Sequence, residues 1–323
     1  MNQSIRSFLR TVLCLVGLGG FSVAAMASEA ATPTQVRIGT YVQNIVDLNL
    51  RANNVSVDFY LWFRWKGNPD ITPETSFELA NGKITSRNVL ERRDFGDEHF
   101  SQVRVNATLY VNWNLERFSL DRQIIPIIIE DSVLDTEGLV YVADAANISV
   151  RTSIEIPGYV IGEQQGVISD NTYTTNFGDP DLPQDARSVY SQYQHHIEVK
   201  RPDYGFFFKL FSSMFLAALI APFGFAMKTE NVDSRVGIGV GGIFGVLGSN
   251  YSIAGQLPPT SVITLGDQVY FLSMALVIFS LILAVINWRI NTSRPGSPLV
   301  KNLDRLGLIS PLLYVGLVVM LIC

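Results

Sequence analysis

Residues 233–257 read DSRVGIGVGGIFGVLGSNYSIAGQL, a stretch long and apolar enough to cross a bilayer yet poorly suited to face lipid. Gly237, Gly239, Gly241, Gly242, Gly245 and Gly248 crowd its middle, and each glycine costs a helix about 1 kcal/mol relative to alanine. Asp233 and Arg235 stand at one end, with Glu230 just before them. Small residues let helices approach closely, and charges at membrane depth are held against protein or water rather than acyl chains. Two readings follow. The repeated small-xxx-small spacing of Gly237, Gly241 and Gly245 suits close packing, and the charged mouth suits a helix that lines an aqueous path.

The chain around it has 323 residues, 48% hydrophobic and 16% charged, with a formal net charge of −5. That length allows two domains, and the composition leans towards a membrane protein. No basic block points to nucleic acid. Cys14 and Cys323 are the only cysteines, which excludes a disulfide framework. Arg6 and Arg10, an apolar run over 11–23 and the small-x-small site Ala25-Met26-Ala27 predict a secretory signal over 1–27, the alternative being a first membrane helix. Cleavage there would remove Cys14.

Residues 28–203 carry the pattern of an exported all-β domain. Val55, Val57, Phe59, Leu61, Phe63 and Trp65 alternate along one segment, and Val103, Val105, Ala107, Leu109, Val111 and Trp113 along another. The run 123–130 predicts a further strand, with Pro126 arguing for an edge or a bulge. Shorter strands are expected over 139–142, 148–154, 159–163 and 190–200, and turns at Asn53-Asn54, Asn81-Gly82, Phe95-Gly96-Asp97 and Gly178-Asp179-Pro180. Many short strands with no helical stretch between them predict an immunoglobulin-like β-sandwich.

Residues 204–323 predict a four-helix transmembrane bundle, with spans at about 206–227, 236–257, 269–288 and 306–323. The first connection carries Lys228 and Arg235, and the third carries Arg289, Arg294, Lys301 and Arg305. The second carries neither lysine nor arginine. Positive loops stay cytoplasmic, so the β-domain is expected outside, in agreement with the signal. In a bacterial inner membrane that side is the periplasm.

Particular residues add a resemblance. Glu116 to Gln123, ERFSLDRQ, resembles the F-P-F/L-D-x-Q signature of pentameric ligand-gated ion channels, the Cys-loop receptor superfamily. Phe118, Asp121 and Gln123 match, and Ser119 stands where proline is usual. No cysteines flank the segment, as in prokaryotic members. Val199-Lys200-Arg201-Pro202 looks like the basic residue before the family's first span, and Pro222 like the proline within it. Leu257-Pro258-Pro259, followed by Asp267, resembles the loop after its second span, and Trp65 the tryptophan closing its second strand.

The resemblance implies a homopentamer around a central pore, an agonist bound between neighbouring β-domains, and permeant monovalent cations in a lipid membrane. With the register anchored on Leu257-Pro258, the pore-lining residues would be Asp233, Gly237, Gly241, Phe244, Gly248, Tyr251 or Ser252, and Gly255. A register one residue over would present Ile238 and Ser249 instead. Five Phe244 side chains would form a gate that closes by dewetting, and Glu230 with Asp233 would form carboxylate rings selecting cations. Coupling between domains is expected from Asp121, Arg201, Asn49, Arg51, Pro258 and Pro259. The first β-turn offers no carboxylate of its own, which implies a smaller cluster. The agonist site would draw on Tyr173, Phe177 and Tyr190 in the capping loop over 172–188 and on Tyr60, Trp62 and Arg64 from the neighbour.

Those aromatics with Asp179 or Asp181 suit a cationic amine, and Arg64 would suit a carboxylate. The same alternation also fits plain strand packing. His99, His195 and His196 raise proton gating, with a pair of histidines in one strand fitting an exposed edge. Asp179 with Asp181, or Asp94 with Asp97, are candidate divalent-cation loops. No H-E-x-x-H, G-x-S-x-G or Walker loop occurs, and Cys323 is poorly placed as a nucleophile. An enzyme and a cofactor are therefore not expected, and the runner-up reading is a non-conducting, membrane-anchored sensor of the same architecture.

Overall fold

The computed structural model describes residues 32–178, 180, 181, 183 and 185–322. The signal expected over 1–27, Asp179 and Cys323 lie outside the described residues. The β-domain runs β1 (Thr34–Asn49), β2 (Asn54–Lys66), a short helix α1 (Pro73–Ser76), β3 (Phe77–Leu79), β4 (Gly82–Phe95), β5 (Glu98–Tyr110), β6 (Arg122–Asp131), β7 (Leu139–Ala143), β8 (Ser149–Val150), β9 (Val160–Tyr173) and β10 (Ser188–Lys200). One sheet has the order β4-β5-β2-β1-β7, with β8 also on β1, and the other β3-β6-β10-β9.

The two alternating segments pair with each other: Val55 opposes Leu109, Val57 opposes Ala107, Phe59 opposes Val105 and Leu61 opposes Val103. All eight side chains are buried. The second sheet presents Ile125, Ile127 and Ile129 from β6 beside Tyr193, Ile197 and Val199 from β10, and both inner faces join one apolar cluster. A register slip of one residue would move every one of these side chains out of that cluster.

Several expectations change. Most strands are longer than expected, and β4, whose residues are largely exposed, carries no alternation that would have revealed it. The strand expected over 148–154 shrinks to Ser149–Val150, and α1 interrupts the strands. Pro126 sits inside β6 against His196 of β10. At its level β3 has already ended, and the Asn81 side chain donates to the Pro126 carbonyl at 2.8 Å.

Four helices follow: α2 (Gly205–Phe223), α3 (Val232–Ala254), α4 (Leu265–Ser293) and α5 (Pro298–Ile322). All four are long and apolar enough to cross a membrane, and the protein is multi-pass. Pro222 lies at the last turn of α2, where the chain tightens into a 3-10 turn over Gly224–Ala226. The third and fourth spans overrun their sequence-based limits because helical hydrogen bonding continues into polar ends. Thr264 and Asp267 cap α4 reciprocally, Asp267 N donating to Thr264 Oγ1 at 3.1 Å and Thr264 N to Asp267 Oδ2 at 2.9 Å. Pro298 opens α5 just after Gly296, whose φ of +77° suits glycine. Arg289, Lys301 and Arg305 are therefore helical, and the connection itself is only 294–297.

His195 corrects the exposed-edge expectation. Strand β10 is flanked by β6 and β9, so alternation turns His195 inward, fully buried, and leaves His196 half-exposed on the outer face. His195 Nδ1 lies 2.7 Å from Thr40 Oγ1, which is also 3.0 Å from the Tyr193 hydroxyl, and Nε2 has no partner among the described residues. Burial, and secondarily the neighbouring His196, lower the His195 pKa to about 4. The unfolded chain takes up this proton near pH 6.5, and the native state resists until about pH 4. Stability from this group is thus complete above pH 6.5, falls as pH drops, and levels off below 4, a loss on the order of 3 kcal/mol. Chemical unfolding of the full chain at pH 7 and pH 4.5 checks this: the acid-induced loss should shrink in His195→Gln, and an unchanged loss would refute the assignment.

Candidate functional site

The glycines of α3 divide between two faces. A Cβ on Gly245 would stand 2.6 Å from Ala217 Cβ of α2, one on Gly242 would lie 3.0 Å from the Ala217 carbonyl oxygen, and one on Gly239 would collide with Leu281 of α4. These glycines are the close-packing face. Around Gly237, Gly241 and Gly248, by contrast, no atom of the described residues beyond the neighbouring backbone of α3 itself comes within 4 Å of a Cβ. Asp233, Ser252 and Gly255 are exposed on α3 and its end, together with Phe244 at 70% and Tyr251 at 85% exposure. Ser249 turns against α2, its hydroxyl donating to Gly245 O at 2.8 Å and lying 3.1 Å from Ser213 Oγ. Ile238 is half-buried and Glu230 exposed.

Arg235 does not stand beside Asp233 at the surface. It is 2% exposed and points into the bundle. Its Nη1 donates to Asp304 Oδ1 at 2.7 Å, and its Nη2 donates to the Met227 carbonyl. Asn287 Nδ2 donates to the same Asp304 oxygen at 2.7 Å, and Thr229 Oγ1 to the other at 3.1 Å. One carboxylate on α5 thus ties together α3, α4 and the α2–α3 connection. Sequence reading missed Asp304 and Asn287. Their signal was an acid and an amide beside long apolar runs, where buried polar groups need partners.

At the opposite end of the bundle the β-domain meets the helices. The Asp121 carboxylate is 1% exposed and accepts from Arg201 Nε at 3.2 Å. It also accepts from the Tyr159 hydroxyl and from Gln123 Nε2, each at 2.8 Å. The Arg201 guanidinium is sandwiched between the Tyr159 ring, 3.8 Å from its centroid, and the Phe206 ring of α2, at 3.9 Å, and Nη1 donates to Gly158 O at 3.0 Å. Burial, then the Asp121 charge, push the Tyr159 hydroxyl pKa up, so it stays a donor. The expected pair of Asp121 and Arg201 is present, and Tyr159 is an addition that no sequence motif marked.

Three further contacts cross this junction. Arg51 Nη1 donates to Gly255 O at the end of α3 at 2.8 Å. Arg117 Nη2 donates to Ile322 O at the end of α5 at 2.9 Å, and Leu265 N at the start of α4 donates to Glu116 O at 2.7 Å. The two arginines satisfy carbonyls left over at helix C-termini, where positive charge is favoured. Asn49 shapes the turn, its Oδ1 accepting from Ala52 N at 2.9 Å. In the α3–α4 connection Pro258 is half-buried and Pro259 exposed.

The candidate ligand residues sit on different sheets. Tyr173 of β9, Tyr190 of β10 and the 70%-exposed Phe177 cluster, with Tyr173 5.7 Å from each of the other two ring centroids. Sequence reading missed their anion. Glu130 of β6 is buried and accepts from the Tyr173 hydroxyl and Asn171 Nδ2, each at 2.8 Å, and from Gln192 Nε2. Gln194 donates to Gln192, and His196 Nε2 lies 2.8 Å from Gln194 Oε1, an acceptor, which requires the proton on Nε2. Burial, then the Glu130 bond, push the Tyr173 pKa up to about 12.

On the other sheet, Tyr60 lies 6.3 Å from Tyr41 and under the Arg104 guanidinium. Trp62 Nε1 donates to Asp144 at 3.1 Å, and Arg64 pairs with Glu98 at 2.6 Å. Asp94 is taken by His99 Nδ1 at 2.6 Å, and no group of three potential metal ligands occurs among the described residues. No protein-family model matches the chain, and no curated protein matches it.

Two outcomes are expected. Asp121→Asn or Arg201→Gln leaves one charge buried without its partner, lowering the stability of the full chain by roughly 3–5 kcal/mol in denaturant unfolding. Gly245→Ala forces α2 and α3 apart and lowers the thermal midpoint in detergent. Gly241→Ala leaves it unchanged or raises it, because its side is open and alanine is the better helix former by about 1 kcal/mol. Equal effects at the two glycines would contradict the two-faced reading.

Proposed function

We propose that the chain is one subunit of a homopentameric, ligand-gated, cation-conducting channel of the pentameric ligand-gated type, with an immunoglobulin-like β-domain on the periplasmic side of a bacterial inner membrane. The observation that carries the reading is the open face of α3. A membrane span that packs Gly239, Gly242 and Gly245 against its own subunit and leaves Asp233, Gly237, Gly241, Phe244, Gly248 and Tyr251 uncovered has the form of a lining helix. Five copies would surround an aqueous path with Phe244 as its apolar constriction. Glu230 and Asp233, both exposed at one end, would concentrate cations there. The basic connections lie at the end away from the β-domain, which supports the orientation.

The agonist class follows from Glu130. A buried carboxylate bonded to Tyr173, whose ring meets Tyr190 and Phe177, favours a cationic amine, through charge and cation–π attraction. Arg64, already paired with Glu98, offers less to a carboxylate ligand. The junction of Asp121, Arg201, Tyr159 and Arg51 would pass movement of the β-domain to the ends of α2 and α3.

Planar-bilayer recording of the purified protein, across pH and a panel of amines and carboxylic acids, tests this. An amine should open a cation-selective current that Glu130→Gln weakens at least ten-fold in apparent affinity, about 1.4 kcal/mol. Neutralising Glu230 and Asp233 together should move the reversal potential in a salt gradient towards zero, and Phe244→Ala should raise the resting current. Silence from both the native chain and Phe244→Ala would leave the non-conducting sensor as the better reading.

A further inference from the structure

The turn between β4 and β5 is tied to the connection after β2 by one side chain. Asp94 of β4 opposes His99 of β5 and Phe95 opposes Glu98, so Gly96 and Asp97 alone form the turn, Gly96 at a φ of +68°. His99 shares the inward face of β5 with Ser101 and Val103 and is buried. Its ring stacks on that of Trp65, the residue opposite on β2, with centroids 5.3 Å apart. Nδ1 lies 2.6 Å from Asp94 Oδ1, and Nε2 lies 3.1 Å from the Gly67 carbonyl oxygen. Gly67 N donates in turn to the Asp97 carbonyl at 3.1 Å, and Trp65 Nε1 to the Asn68 carbonyl at 3.0 Å.

Both nitrogens of His99 thus face oxygens that accept. A neutral imidazole has a single N–H, so in either tautomer its other nitrogen sets a lone pair against an oxygen. The imidazolium satisfies both contacts. The other charges near the ring are engaged elsewhere or open to water. Arg92 of β4, 5.6 Å over the Trp65 ring, pairs with Glu74 of α1 at 2.7 Å and donates to the Pro69 carbonyl at 2.7 Å. Glu98 pairs with Arg64 of β2 at 2.6 Å. Lys66 of β2, Asp70 of the connection and Asp97 of the turn are exposed. Asp94 is the carboxylate bonded to the ring, and its side chain, 60% exposed, gives the proton a path to solvent.

We propose that His99 is a proton-controlled clasp: as the imidazolium it ties the β4–β5 turn to the connection 67–72, and on giving up its Nε2 proton to solvent it releases Gly67 and loosens that end of the β-domain. The bond to Asp94 first, then that to Gly67, raises the His99 pKa above its usual 6.5, against burial, which lowers it. The folded chain therefore holds this proton more tightly than the unfolded chain does. The stabilisation is fully present below pH 6.5 and is lost as pH rises through the folded-state value. His195 carries the opposite sign, so the two histidines penalise opposite ends of the pH scale. The clasp requires neither a pore nor an agonist, and its test is independent of conduction.

The test is histidine C2 hydrogen exchange, read by mass spectrometry on the full-length protein in detergent between about pH 5 and 9, which follows His99 separately from His195 and His196. Amide exchange on the same samples reads the two segments that the clasp joins. His99 should titrate above pH 6.5, and Asp94→Asn should lower its midpoint. Through the native midpoint, amide protection over 67–72 and 94–99, corrected for the intrinsic effect of pH, should fall roughly three- to ten-fold, as expected for one charge-assisted hydrogen bond partly open to water. His99→Gln should show low protection there at every pH, with β10 unchanged. A midpoint at or below 6.5, a midpoint unmoved in Asp94→Asn, protection that stays constant through the native titration, or the same fall persisting in His99→Gln would overturn the proposal.

Discussion

The structure depends first on one buried carboxylate. Asp121 is almost wholly removed from water, and three donors meet around it, Arg201, Tyr159 and Gln123, while Arg201 also donates to the Gly158 carbonyl. An ion pair so placed stabilises only when all its partners are present, since the cost of removing both ions from water is otherwise uncompensated. That requirement fixes where the last strand ends, where the loop over 111–121 lies, and how α2 leaves the β-domain, because the Phe206 ring closes the second face of the guanidinium. The β-domain is thereby attached to the bundle through a polar joint set into a continuous apolar cluster that includes Phe118, Phe207 and Phe211, with Arg51, Arg117 and Glu116 adding contacts to the ends of α3, α5 and α4.

A second constraint holds the other end. Arg235, Asp304, Asn287 and Thr229 gather side chains from three helices and a connection in a region surrounded by apolar residues. Between the two polar joints α3 has little side-chain bulk of its own. Its packed side is glycine facing Ala217 and Leu281, a close approach that larger residues would prevent, with Val246 and Ile253 buried beside it. A helix fastened at both ends and thin along its packed side leaves its other side, with Phe244 and Tyr251, largely exposed. The proposed pore uses that free side, and the packing of α3 explains how such a side is left over.

The candidate amine site sets a buried carboxylate beside an apolar surface. Glu130 is buried among donors and rings on one sheet. There the chain supplies one half of an ion pair, and the apolar neighbours raise its value by excluding water.

The sequence by itself determined the period-two faces of β2 and β5, the four spans, and the pairing of Asp121 with Arg201 through the motif around it. These are local patterns or side-chain types with few alternatives. It did not reveal β4, because an exposed strand has no alternation to show, nor the interior place of His195, because whether a strand is flanked on both sides is settled by distant pairing. Partners far apart in sequence, such as Glu130 with Tyr173, Tyr159 with Asp121 and Arg235 with Asp304, were decided only by the tertiary structure. The division of α3 was half legible: composition showed that it is no ordinary lipid-facing helix, and only the positions of Ala217 and Leu281 decide which glycines pack and which stand open. Periodicity records which way a side chain points, and only packing supplies what it meets there.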